Sequence, residues 1–112
     1  MSTADLVGKA QTVLGTIEAE DLNIVLPHEH CLIDMSVWFQ EPATAGEKLI
    51  AHQPLTPENL WYVRYHPFSC RDNVQLLDEQ LAIEELKRFK LHGGSTVVDV
   101  TNIGIGRDPL AL

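Results

Sequence analysis

The chain has 112 residues, of which 8 are Lys or Arg and 16 are Asp or Glu, giving a formal charge of −8. With 45% hydrophobic and 21% charged residues it is expected to be globular rather than disordered, and so few cations exclude nucleic acid as a partner. No apolar run nears the ~20 residues that cross a bilayer, which excludes a membrane helix. Met-Ser-Thr-Ala-Asp at the N-terminus lacks the basic flank and apolar core of a signal peptide, so a cytoplasmic location is expected. Cys31 and Cys70 form no Cys-x-x-Cys, and no disulfide framework is predicted.

From Gln11 to Ile17 the chain is β-prone and broken by Gly15. An acidic turn, Glu18 to Asp21, separates it from a second run, Leu22 to Leu26. Two such runs predict an N-terminal hairpin within residues 1–22 that leads into a core strand. The second run is continuous rather than alternating in apolar residues, which predicts a strand buried on both faces, as in parallel sheets.

Between Trp38 and Cys70 lie Pro42, Pro54, Pro57 and Pro67, together with Trp38, Phe39, Trp61, Tyr62, Tyr65 and Phe68. Within this segment Thr56 is the expected N-cap of a short helix running to about Arg64, with Pro57 in its first turn and His66-Pro67 ending it. A connection so long and so aromatic is expected to be functional or disordered.

Asp72-Asn73 is the expected cap of a longer helix reaching Leu91. Val74, Leu77, Leu81, Ala82, Leu86 and Phe89 form its apolar stripe, and Glu84 pairs with Arg88. Gly93-Gly94 should stop it. Ser95 to Thr101 then predicts a second buried strand, Asn102 to Asp108 a glycine-rich turn, and Pro109 to Leu112 the first turn of another helix. Strand, loop, helix and strand make a β-α-β unit with parallel strands. One such unit leaves faces uncovered, so the chain is expected to be the N-terminal part of a larger α/β domain.

The sharpest chemical feature is Pro27-His28-Glu29-His30, at the end of the first core strand. A side-chain period of 2 puts His28 and His30 on one side and Glu29 on the other. Two imidazoles so placed suit one divalent metal, and strand ends of this kind are where α/β sites form. The plain alternative is a hydrogen-bonded surface pair; the position after an apolar strand favours the metal. A catalytic zinc takes about three protein ligands, so the pair is not a complete site. His52, His66 and His92 have ordinary surface roles in this reading, and Cys31 is a packed thiol facing away from the pair. Gly104-Ile-Gly-Arg-Asp108 lacks the glycine and lysine pattern of nucleotide-binding loops and is read as a tight βα turn. Asp99, inside an apolar strand, either bonds a neighbouring strand or orients a ligand.

Thr12-Val-Leu-Gly15, Leu26-Pro-His-Glu-His30, Gly93-Gly-Ser-Thr-Val-Val-Asp-Val-Thr101 and Gly106-Arg-Asp108 together resemble the start of the phosphotriesterase-like family of the amidohydrolase superfamily, which also contains lactonases. Thr16 and Asn23 stand where relatives more often carry Pro and Gly. The resemblance implies an N-terminal fragment of a (β/α)8 TIM barrel: residues 1–22 supply the hairpin, and 23–112 the first two strands, the long first βα loop, the first helix and the start of the second. It further implies His28 and His30 as metal ligands, in a complete enzyme with two divalent ions, commonly zinc. The other ligands (a bridging carboxylated lysine, two histidines and an aspartate) would lie on later strands, so no catalytic residue falls within this chain. Ile105 matches a position that lines the substrate pocket in relatives, and Trp38 would sit on the same rim. The implied reaction is hydrolysis of an ester, lactone or phosphotriester by a metal-activated water, with a small-molecule substrate and room for a homodimer of the full-length protein. By itself the chain is expected to bind metal weakly and to be inactive. The alternatives are a non-catalytic module whose aromatic loop binds a partner, and a barrel with degenerate ligands.

Overall fold

A computed structural model of the chain describes residues 6–112; the N-terminal pentapeptide read above, and with it the start of the 1–22 segment, lie outside the described residues. In chain order the elements are β1 (Lys9–Thr12), β2 (Gly15–Glu18), β3 (Val25–Glu29), β4 (Ile33–Asp34), α1 (Ala45–Ala51), α2 (Leu60–Tyr65), β5 (Gln75–Leu76), α3 (Glu79–Leu91) and β6 (Thr96–Asp99). Short 3₁₀ turns occupy Ala19–Leu22, Ser36–Trp38, Asp72–Val74 and Ile103–Ile105. These elements fall into two compact units. One comprises the chain up to His30, Glu79–Val100 and Asp108–Leu112; the other comprises Cys31–Asp78 and Thr101–Arg107.

In the first unit β1 and β2 form the expected hairpin, but its turn is Val13-Leu14 rather than Glu18 to Asp21. The reason is local. The Thr12 hydroxyl donates to the Gly15 carbonyl at 2.8 Å and accepts from the Leu14 amide at 3.1 Å, and Gly15 takes a φ of +128° that side chains resist. The acidic stretch becomes a 3₁₀ turn instead. Just after it Asn23 sits at φ +50°, a conformation that asparagine tolerates better than most residues, and its side-chain amide donates to the Asp21 carbonyl at 2.9 Å.

The parallel β-α-β unit is present. β3 pairs with β6 in the register Val25↔Thr96, Leu26↔Val97 and Glu29↔Asp99. The strand starts at Val25, later than expected, because the Ile24 carbonyl is taken by two amides at the entry to β6, Ser95 at 3.0 Å and Thr96 at 3.1 Å. The Thr96 hydroxyl adds a bond to the Leu22 carbonyl at 2.8 Å. Neither strand is buried on both faces: Pro27 and His28 in β3 and Val98 in β6 remain exposed, since each strand has one neighbour among the described residues.

The helix between the strands starts at Glu79, five residues beyond Val74, where the expected stripe opens, and none of its residues is buried. Its ion pairs are Glu84–Lys87 and Glu85–Arg88 at three-residue spacing, in place of the expected Glu84–Arg88 pair. Gly93 ends it at φ +94°, where its amide bonds Lys90 and that of Gly94 bonds Phe89. At the end of the chain Asp108 Oδ1 accepts from the Leu110 and Ala111 amides, each at 3.1 Å, the N-cap arrangement expected of a helical turn starting there.

The second unit holds the apolar core. Leu32, Ile33, Ala51, Tyr62, Val63, Cys70, Val74 and Ile105 are the buried apolar residues among those described, and all belong to it. The aromatic segment is therefore neither structureless nor a bare loop. It contains a helix the periodicity did not suggest, α1, capped by Thr44: the Glu47 amide donates to the Thr44 hydroxyl, which donates to the Glu47 carboxylate. α2 begins at Leu60 with Asn59, not Thr56, at its start. Asn59 is buried, accepts from the Thr56 amide at 2.9 Å and donates to the Pro54 carbonyl at 2.8 Å, folding the preceding turn onto itself. The expected cap Asp72-Asn73 is used elsewhere. Asp72 accepts from the Leu55 amide at 2.7 Å and Asn73 donates to the Pro67 carbonyl at 2.9 Å. Val74 is fully buried and Gln75-Leu76 pairs with Ile33-Asp34, so burial and strand pairing take these residues from the helix. Cys31 is half-buried rather than packed in the core, whereas Cys70 is fully buried.

The glycine-rich turn closes on Asn102, whose side chain accepts from the Gly104 amide at 2.8 Å and whose carbonyl accepts from the Arg107 amide at 3.1 Å. Gly106 has φ +81°, and a Cβ there would lie 3.0 Å from Asp34 Cβ and 3.2 Å from the Asp34 nitrogen. Gly106→Ala should cost about 1–3 kcal/mol, from left-handed strain plus the displaced backbone. A urea midpoint unchanged from that of the parent protein would overturn this.

Candidate functional site

His28 lies within β3 and His30 one residue beyond it, at the C-terminal end of a parallel strand. Their rings stand on the same side, with centroids 5.6 Å apart and planes at 75°, as the alternation predicts. The backbone beneath them is fixed from β6: Glu29 is in register with Asp99, and the Glu29 carbonyl accepts from the Val100 amide at 3.0 Å. The register shifts between Leu26 and Glu29, where Pro27 has no N–H to give the ladder. Two ring nitrogens presented from one rigid strand end suit a borderline-soft divalent cation. Among the described residues no group of three or more His, Cys, Asp or Glu is placed to hold a metal.

Trp38 and Ile105 belong to the second unit. Trp38, half-exposed, meets Phe68 edge-on at 6.2 Å; Ile105 is 8% exposed. Phe39 meets the His52 ring at 5.7 Å in a tilted contact and lies under the Arg71 guanidinium at 5.0 Å, while His52 Nε2 bonds the Glu41 carboxylate at 2.9 Å. His52 thus clasps the ends of a stretch rather than acting as an isolated surface group. The His66 ring lies 4.6 Å from that of buried Tyr62.

A polar cluster that composition and spacing did not single out stands in the same unit. Asp34 Oδ1 accepts from the Ser36 amide at 2.9 Å and from Gln75 Nε2 at 3.2 Å, and Gln75 Nε2 also donates to Ser36 Oγ at 2.8 Å. The Asp-x-Ser spacing of an Asx turn was its signal in the sequence. Hydrogen bonding from the Ser36 side chain, then from its amide and from Gln75, holds the Asp34 carboxyl below the usual aspartate range. A depressed folded-state pKa stabilises the fold fully above the unfolded value. That contribution is lost as pH falls through the folded one. Asp34→Asn should therefore narrow the stability difference between neutral pH and pH below about 4. Urea midpoints measured across that range, if identical in slope for parent and variant, would contradict this.

A sequence model described as the phosphotriesterase family matches residues 8–112. The chain is 39% identical over 106 residues to a Tetraodon nigroviridis protein named N-acetyltaurine hydrolase, covering 94% of this chain and 30% of that one. A Homo sapiens protein of the same name is 37% identical over 110 residues, covering 97% of this chain and 31% of that protein. Among solved structures, a resiniferatoxin-binding protein from Rhodobacter sphaeroides superposes with a TM-score of 0.89 at 38% identity, covering 93% of this chain and 29% of that one. The chain thus spans about 30% of the length of the curated relatives it matches.

Proposed function

The chain belongs to the phosphotriesterase family, and from that premise we propose that it is the opening β-α-β unit of a (β/α)8 barrel hydrolase, with His28 and His30 as the first two ligands of a divalent metal centre. One observation carries the metal reading: two histidine rings on one side of the C-terminal end of a parallel strand, 5.6 Å apart. The two imidazoles fit half of a tetrahedral set, and the remaining ligands belong to strands beyond these residues. When bound, such a cation polarises the scissile carbonyl or phosphoryl oxygen and acidifies a water. The part played by this chain is to hold its two imidazoles rigidly, through the β3–β6 ladder, so that they need not reorganise as the ion binds.

Among ester, lactone, phosphotriester and amide substrates, the names of the relatives favour a small N-acyl compound of the N-acetyltaurine type. Hydrolysis there breaks the acyl C–N bond, with water giving its hydroxyl to the acyl carbon and a proton to the leaving amine. Trp38 and Ile105 are read as walls of the substrate site. A second reading, ligand binding without turnover, draws on the resiniferatoxin-binding neighbour and on the half-exposed Trp38 and Phe68. The deciding experiment uses the whole barrel protein proposed to contain this unit, loaded with zinc, and offers N-acetyltaurine, a lactone and an aryl ester; this chain alone should release no product. Release of taurine or acid that stops on chelation and returns with metal supports the hydrolase. Saturable binding of these compounds with no product supports the second reading.

A further inference from the structure

We propose that Asp34 is a positioning residue that fixes the turn presenting Trp38 and seats it against the turn carrying Ile105. The proposal rests on the reading of Trp38 and Ile105 as substrate contacts. Two sets of contacts meet at this residue. The carboxylate takes the Ser36 amide and Gln75 Nε2, which starts the Ser36–Trp38 turn; the Trp38 amide then closes on the Met35 carbonyl at 2.9 Å. The backbone of Asp34, meanwhile, packs on Gly106 so closely that a Cβ would come within 3.0 Å of Asp34 Cβ. Gly106 follows Ile105 directly, and Ile105 is buried in the same unit.

The arrangement is braced rather than merely adjacent. Gln75 is the register partner of Asp34 across β4 and β5, and its one amide nitrogen donates to both Asp34 Oδ1 and Ser36 Oγ. The Met35 amide bonds the Val74 carbonyl at 2.8 Å, anchoring the turn to a fully buried residue. The Thr101 hydroxyl, also buried, donates to the Leu32 carbonyl at 3.3 Å and ties the start of the second turn to the strand leading into Asp34. Charged acceptors make stronger bonds than neutral ones, so the carboxylate holds this turn more firmly than an amide or hydroxyl would. Loss of the acceptor frees Trp38 without touching the histidine pair, and the effect falls on substrate fit rather than on bond cleavage.

The test uses the two tryptophans. In a Trp61→Phe background, Trp38 is the remaining indole, and its nanosecond anisotropy decay reports the motion of this turn directly. Asp34→Ala should about double the fast-phase amplitude, while Asp34→Asn, which retains an Oδ1 acceptor but loses the charge, should lie between the parent and Asp34→Ala. Gln75→Ala, which leaves the Asx turn intact, should shift it in the same direction and covers the case in which Asp34→Ala does not fold. In the zinc-loaded whole barrel protein proposed to contain this unit, Asp34→Ala should raise KM for N-acetyltaurine about tenfold with kcat within about threefold, at unchanged zinc stoichiometry. An unchanged Trp38 decay in both variants overturns the proposal, as does a fall in kcat at constant KM. If the parent protein hydrolyses nothing, the functional reading fails by itself, and the anisotropy result still decides the role of Asp34.

Discussion

Replacing His28 and His30 together with alanine should lower the affinity of the protein for zinc by at least about 100-fold and, in the whole barrel protein proposed to contain this unit, remove hydrolysis to a comparable extent, since loss even of residues that merely orient metal ligands costs 10–100-fold. The fold should survive. His28 is exposed and His30 half-buried, and their rings meet each other edge-on. Circular dichroism of the double variant should therefore match that of the parent while calorimetric zinc titration loses its heat. Each single variant should lie between the two, because one imidazole still offers a ligand from the same strand end. Zinc affinity that withstands the double substitution would remove the metal reading of this strand end altogether.

Tyr62→Ala should be the most damaging single substitution for stability, by about 3–5 kcal/mol, the usual cost of truncating a buried aromatic. Tyr62 is 3% exposed and packs with Val63, Cys70 and Ile50 between α1 and α2. Burial, above all, pushes its hydroxyl pKa up, aided by the nearby Glu47 carboxylate, while a hydrogen bond with Ser69 opposes this. The expected readout is a collapse of the urea midpoint, with loss of near-ultraviolet signal from the aromatic segment. Tyr62→Phe should be far milder, because it retains the ring and gives up one hydrogen bond of about 1 kcal/mol. Equal losses in the two variants would show that the hydroxyl, not the packing, holds this core together.

The concentration of buried apolar residues in the aromatic segment also explains where the periodic reading of the chain went astray. Val74 lies at helical spacing from Leu77 and Leu81, so a stripe from 74 to 89 was a fair inference. Val74 nevertheless gains more by full burial than by lying on a helix face that stays exposed. Thr44-x-x-Glu47 was a legible capping box, hidden among prolines and aromatics that pointed to a loop.

The sequence by itself determined the parallel β-α-β unit, the stop at Gly93-Gly94, the shared side of His28 and His30, and the tight turn before Pro109. Each follows from a local rule of side-chain alternation, backbone handedness or hydrogen-bond geometry, acting over a few neighbouring residues. Only the tertiary structure decided that Asn59 rather than Thr56 starts α2, that Asp72 and Asn73 serve loops 17 and 6 residues away, and that Asp34 meets Gln75 and Gly106. Those choices turn on which distant donor, acceptor or cavity competes best for a group, and one-dimensional spacing carries no information about that competition.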